Sequence, residues 1–188
     1  MPIFLVGMST LTMSSQPATT TSSLMTNDSI PSGAWTLWYH SPHETRWTLA
    51  TYKAIMTVST WTELWTLMDS LSDDTLLNGF FRFMKHPITP MWENPANIRG
   101  GAYSMRIPRK DAADVFMKYS IGVMLGAVAK DATNELLGVA ISPKRGFNVI
   151  SVWNSNYEVH ASNDDIKYIS RVIPADEIRY TKHTDRQF

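Results

Sequence analysis

Seven tryptophans stand among 188 residues, and their placement constrains the fold more than any other feature. Trp35, Trp38, Trp47, Trp92 and Trp153 fall in segments rich in aromatic and β-branched residues or in a proline-bounded loop, whereas Trp61 and Trp65 share a stretch of helical period. Rings of this size must be covered by a sheet or a helix layer, or be presented to a ligand. "AWTLWYH" (34–40) and "TRWTLATYKAIMTV" (45–58) read as antiparallel strands joined through "SPHE", with Trp47 at the start of the second. "GFFRFMKH" (79–86) and "GAYSMRI" (101–107) read as further strands, and "ELLGVAIS" and "FNVISVWN" as a hairpin around "PKRG". "DEIRYT" reads as a last strand.

Between the strands the period changes. In "TWTELWTLMDSL" (60–71), Thr60 and Glu63 form a capping box, and Leu64, Leu67, Met68 and Leu71 follow helical spacing toward a core. A second helix is predicted over 111–129 with Asp111 as cap, and a third over "NDDIKYISRVI" with Asn163 or Asp164 as cap. Strand pairs alternating with single helices, without a βαβ rhythm, predict an α+β domain with one antiparallel sheet backed by helices. Residues 9–29 are mostly Ser and Thr, with little to bury against their ordering entropy. The expected organisation is a disordered arm over 1–33, a folded domain over 34–181 and a flexible tail over 182–188.

Composition excludes several functions. Lys plus Arg equals Asp plus Glu at 17 each, so no global positive field exists to coat long nucleic acid, and any phosphate contact must be local. The sequence has no cysteine, which removes disulfides, thiolate metal sites and thiol nucleophiles. No apolar run reaches the roughly 18 residues of a membrane span. "MPIFLVGM" lacks the basic flank of a signal peptide, so an intracellular address is expected. The common catalytic signatures are missing. His40 and His43 lack a third metal ligand nearby, and the pairs Asp73-Asp74 and Asp164-Asp165 read as turn and cap residues. The expectation is a binding protein, not an enzyme, with no metal and no cofactor.

"PMWENP" (90–95) holds Trp92 and Glu93 between two prolines. A turn tucking the indole into the core is one reading; a stiff recognition tip is the other. Trp47, beside Arg46, raises the same choice. Two such indoles facing each other would make a slot for a planar ring, worth roughly 1–3 kcal/mol per stacked base. A cationic ring would gain about 2 kcal/mol more on each desolvated indole face. Glu93 could accept both N–H groups of a guanine edge, which makes N7-methylguanine the ring that satisfies slot and carboxylate together. Two bare faces would favour it over unmethylated guanine by up to about a thousandfold.

The motifs "WTLWY", "TRW", "ELWTLM", "PMWEN", "NIRGG" and "VISVWN", in this order, resemble the cap-binding eukaryotic translation initiation factor 4E family from Ala34 to Tyr180. The resemblance implies a curved antiparallel sheet with about three helices on its convex face and a slot for the 7-methylguanosine 5′ cap of mRNA on the concave one. Trp47 and Trp92 would stack on the base, Glu93 would pair with its N1 and N2 protons, and Trp153 would pack near the N7-methyl group. Lys144 and Arg145 are phosphate candidates, with a solvated turn as the alternative. Arg99 joins them, although it reads as more structural. Val149 and Ala102 stand where the family carries basic residues, so weaker phosphate contacts are expected; Lys182, His183 and Arg186 are candidates to compensate. On the back, Trp65 and Trp61 would dock a helical segment of an initiation factor 4G type scaffold or of a repressor. Lys118, Tyr119 and Gly122 stand where the family presents an apolar, acidic, apolar set, and boundary packing is the alternative for Trp61. Ser29 and Ile30 replace the family's His-Pro pair, which marks a divergent paralogue. The implied protein is a monomer linking capped mRNA to a scaffold in the cytoplasm, with the nucleus as a second location and no membrane partner. The alternatives are a cap-holding repressor or storage factor, and a Trp-lined carbohydrate- or single-strand-RNA-binding module.

Overall fold

The computed structural model describes residues 28–171 and 177–185. Most of the expected arm and the residues 172–176 and 186–188, Arg186 included, lie outside that description. Seven strands form one antiparallel sheet: β1 (Trp35–His40), β2 (Tyr52–Val58), β3 (Phe80–Lys85), β4 (Gly101–Pro108), β5 (Leu136–Pro143), β6 (Phe147–Asn154) and β7 (Arg179–Lys182). Their spatial order is β2-β1-β3-β5-β6-β4-β7. Among the described residues three helices complete the α+β fold: α1 (Trp61–Asp69), α2 (Asp73–Asn78) and α3 (Arg109–Met124).

Period-two alternation divides the sheet into two faces with different tasks. Trp35 and Leu37 on β1, Phe81 and Phe83 on β3, Met105 and Ile107 on β4, and Ile150 and Val152 on β6 point to the helices and form the main core. Phe116 of α3 stacks on Phe83 with ring centres 5.9 Å apart. The other face carries a small cluster of Met84, Ala102 and Trp153, with Trp38, Ile88 and Trp92 packed on it. Of the two tryptophans on β1, Trp35 lies in the main core and Trp38 on this second face.

Helix α1 starts as its sequence dictates. Thr60 Oγ1 accepts from the Glu63 amide at 3.1 Å, and the Glu63 carboxylate accepts from the Ser59 and Thr60 amides at 2.7 and 3.1 Å. Leu64, Leu67 and Met68 are buried.

Elsewhere tertiary contacts override local signals. Asp111 does not cap α3, which begins two residues earlier behind Pro108. The helix also ends at Met124, short of the expected 129, and Gly126 follows with a positive φ of 67°. No helix forms over 163–171. A single 3-10 turn (Asn163–Asp165) closes its own capping box with Ser162, and Ile166 leaves it extended to bridge Ala129. Trp47 lies in a loop before a 3-10 turn (Leu49–Thr51), so the second strand begins only at Tyr52.

Both expected domain limits also shift. Asp28 accepts from the Trp61 amide at 2.8 Å, and Ile30 is buried in the core, so the ordered chain includes 28–33. At the other end β7 runs through Lys182, and His183 is fully buried, so neither belongs to a tail.

Candidate functional site

The second face of the sheet is lined by small side chains where its strands cross. In register across it stand Trp38, Arg82, Ala140, Ser151, Ser104 and Arg179. Ser104 and Ser151 leave room above the sheet, and a cleft of about 300 Å³ occupies it. Trp47, Tyr52, Arg82, Trp92, Lys144 and Trp153 are among its walls. Three indoles far apart in sequence thus meet at one cavity, which is of the size small-ligand sites begin at.

Each indole is held by its own support. His40 stacks on one face of Trp47 at 4.1 Å and 7°, and Phe80 meets its edge at 5.0 Å. His40 Nε2 in turn lies 2.9 Å from the Arg46 carbonyl. The Glu44 carboxylate grips the Arg46 guanidinium with two bonds of 3.0 Å. Those bonds, and one from the Arg46 amide, hold the Glu44 carboxyl down at about 2 against an ordinary 4.5. Trp92 rides on a loop whose carbonyls are pinned. Arg82 donates to Pro90 O at 2.6 Å, and buried Asn97 donates to Met91 O at 2.6 Å. His183 Nδ1 lies 2.7 Å from Asn97 O. The buried His183 ring packs on Trp153 at 4.5 Å, so the segment after β7 supports one wall of the cleft. The two glycines of "RGG" permit close approach: a Cβ on Gly100 would strike the Asn154 carbonyl, and one on Gly101 the Tyr180 hydroxyl.

The remaining site candidates separate. Glu93 is exposed beside Trp92 and outside the cavity wall; its charge contributes to the raised pKa of Tyr52, whose larger cause is burial. Lys144 lines the cleft, while Arg145 is exposed on the turn and does not. Arg99 is no part of the cleft wall, and its guanidinium binds Glu158 at 2.8 Å, so a phosphate role does not suit it. On the back, Trp65 is half exposed at 51%. Trp61 is half-buried and packs on the main core, the boundary alternative of the sequence. Lys118 is exposed and paired with Asp114 at 2.6 Å. Tyr119 is a correction: it is fully buried and bonds Lys167 O at 3.3 Å, so it cannot touch a partner on the surface. Gly122 gives room to Val128, which a Cβ there would approach to 2.8 Å.

Three cations went unnoticed in the sequence. Arg82 interrupts the apolar "FFRFMK", and strict alternation there already sets it opposite the Phe81/Phe83 face. Arg106 lies in register with Val149, on the same strand face as Ala102 and Ser104. With Arg179 it lines a second cavity of about 440 Å³ that shares Ser104 and Val149 with the first. Among the described residues no group of three His, Asp or Glu is placed to hold a metal ion, and no helix is long and apolar enough to cross a membrane.

A helix-backed antiparallel sheet with a tryptophan-walled cleft on its uncovered face defines an α+β protein class. Comparison with known proteins gives the family. Residues 32–188 match the model of the family "Eukaryotic initiation factor 4E", and the chain belongs to that family. It is similar to eukaryotic translation initiation factor 4E-1 of Cucumis melo, 27% identical over 139 residues, which are 71% of this chain and 58% of that protein. The chain thus spans little more than half the length of that curated relative. It is 28% identical over 162 residues to isoform 4E of Nicotiana tabacum, covering 80% and 78%. The C. elegans eIF4E-3 complex with the 4E-binding protein Mextli and cap analog shares the fold, with TM-score 0.69, 20% identity, and coverage of 81% and 91%. Ascaris suum eIF4E-3 with m2,2,7G cap does so with TM-score 0.62, 17% identity, and coverage of 83% and 92%.

Proposed function

We propose that this chain is a non-enzymatic cap-binding factor that holds the 7-methylguanosine end of mRNA and links it to a translation initiation scaffold. The reading is carried by the meeting of Trp47, Trp92 and Trp153 at one cleft. The base stacks between Trp47, whose far face His40 already covers, and Trp92 on its pinned loop. Glu93, exposed next to Trp92, swings over the guanine edge to accept its N1 and N2 protons. Trp153 forms the wall near N7. The triphosphate runs past Lys144 toward the adjoining cavity, where Arg106 and Arg179 supply the donors that Val149 and Ala102 cannot. Trp65 on the opposite face anchors a helical segment of a scaffold or of a repressor with a similar motif. The family relatives solved with cap analog, with m2,2,7G cap and with Mextli support both halves of this reading. A monomer in the cytoplasm, with access to the nucleus, fits the same role.

Tryptophan fluorescence titration with m7GTP, GTP and ATP tests it. The guanine nucleotides should quench and ATP should bind at least about tenfold more weakly, the discrimination a bidentate edge contact provides. Glu93→Gln should remove that preference, and Trp92→Ala should remove binding. Equal affinity for adenine and guanine nucleotides in the unmodified protein would overturn the reading.

A further inference from the structure

A cation already sits in the cleft. The Arg82 guanidinium carbon lies 5.0 Å from the Trp153 ring centre, 5.3 Å from Tyr52 and 5.9 Å from Trp47, three of the rings that wall the cavity. Its NH1 donates to Pro90 O, but its buried Nε finds no acceptor. Its neighbours in sheet register are Trp38 and Ala140, and among the described residues no carboxylate pairs with it. Burial lowers its pKa, yet an arginine retains its proton at neutral pH. Lys144 adds a second positive charge to the same walls.

We propose that Arg82 is a specificity-determining residue that sets the cleft against positive charge on the bound ring and so narrows its preference for N7-methylated over unmethylated guanine. The inference rests on the guanine-nucleotide reading above. A methylated ring must share Trp47 and Trp153 with a guanidinium that uses the same π-electrons, and the two like charges repel in a poorly screened cavity. An unmethylated ring brings no charge. It also keeps N7 as a hydrogen-bond acceptor for donors that line the cleft. Methylation removes N7 as an acceptor and adds the charge. The thousandfold preference expected of two bare indoles therefore does not apply to a cleft that holds its own cation.

Calorimetric titrations of m7GTP and GTP against the full chain and against R82M, R82Q and R82K test this through a ratio. A ratio is insensitive to any general loss of affinity when the bond to Pro90 is removed. The unmodified protein should favour m7GTP by about tenfold or less, ~1.4 kcal/mol. R82M and R82Q should raise that preference by about tenfold or more, whereas R82K, which keeps the charge, should leave it near the unmodified value. A preference near a thousandfold in the unmodified protein would overturn the inference without any variant. So would an unchanged ratio in R82M and R82Q, or an R82K that behaves like R82M. If GTP and m7GTP both fail to bind the unmodified protein, the guanine reading falls and takes this one with it; if they bind and only the ratio disagrees, the guanine reading stands alone.

Discussion

Trp47 shows how a single ring is prepared for a ligand. A surface indole in a loop would sample several rotamers, but His40 lies flat against one side and Phe80 closes the edge. The His40 ring is itself fully buried and tied to the Arg46 carbonyl, so the support is rigid. An aromatic pair of this kind contributes about 0.5–1.5 kcal/mol beyond burial. His40→Ala should therefore weaken guanine-nucleotide binding by up to about tenfold, while His40→Phe keeps most of it; nucleotide titration of the two variants checks the order. Nothing in "WYHSPHE" announces this, because stacking across a loop is a tertiary event. Trp92 and Glu93 were legible in part: two prolines argue for a stiffened loop, but whether it tucks the indole in or presents it stayed open, and the structure puts Trp92 half-buried at the cleft wall with Glu93 exposed beside it. Arg82 was legible in principle, since a charged residue at one phase of an apolar alternation must face the other side of its sheet. What could not be read was that this other side is also roofed by rings.

At the scale of elements, α1 divides its surface cleanly. Leu64, Leu67 and Met68 go inward, and Trp65 is left 51% exposed at the centre of the same helix. Trp65→Ala should abolish capture by a scaffold-derived helical peptide and leave nucleotide affinity within about twofold, because the cleft lies across the sheet. A pull-down paired with fluorescence titration separates the two, and loss of both activities would point to misfolding. Breaking the capping box with Thr60→Ala should instead cost about 1 kcal/mol of stability and leave both activities in place. This helix was readable because capping and period agree. The short α2 was not: six residues with one fully buried apolar side chain, Leu76, give too little periodicity. The expected third helix failed for a different reason. Asn163, Asp164 and Asp165 make a good helix start, but Ile166 pairs with Ala129 and the Lys167 amide bonds Val128 O, which holds the chain extended along α3's exit. A local signal and a long-range one competed there, and the long-range one won.

The whole molecule is one sheet asked to bury one face and present the other. Its covered face takes most of the large apolar side chains, and its open face keeps serines, alanines and rings. The first and last described segments contribute to both. At the far end, the His183 ring under Trp153 steadies the cleft. At the near end, Ile30 enters the main core, and its amide bonds Ser59 O at 2.8 Å. Ser32 donates to Met124 O at 2.7 Å and accepts from the Trp35 indole at 2.9 Å, tying β1 to the end of α3. The fold therefore extends at least six residues before the boundary that composition marks at Ala34, because one buried isoleucine outweighs the polar residues around it. Chains beginning at Asp28 and at Ala34 should differ accordingly. Losing Ile30 removes about 2–3 kcal/mol of burial, and losing the two Ser32 bonds about 1 kcal/mol each. Urea unfolding of the two truncations should show the shorter one less stable by roughly 4–5 kcal/mol, with an unchanged methylated-to-unmethylated nucleotide ratio where both remain folded. Equal midpoints would mean that 28–33 adds nothing to the domain and that it begins near Ala34.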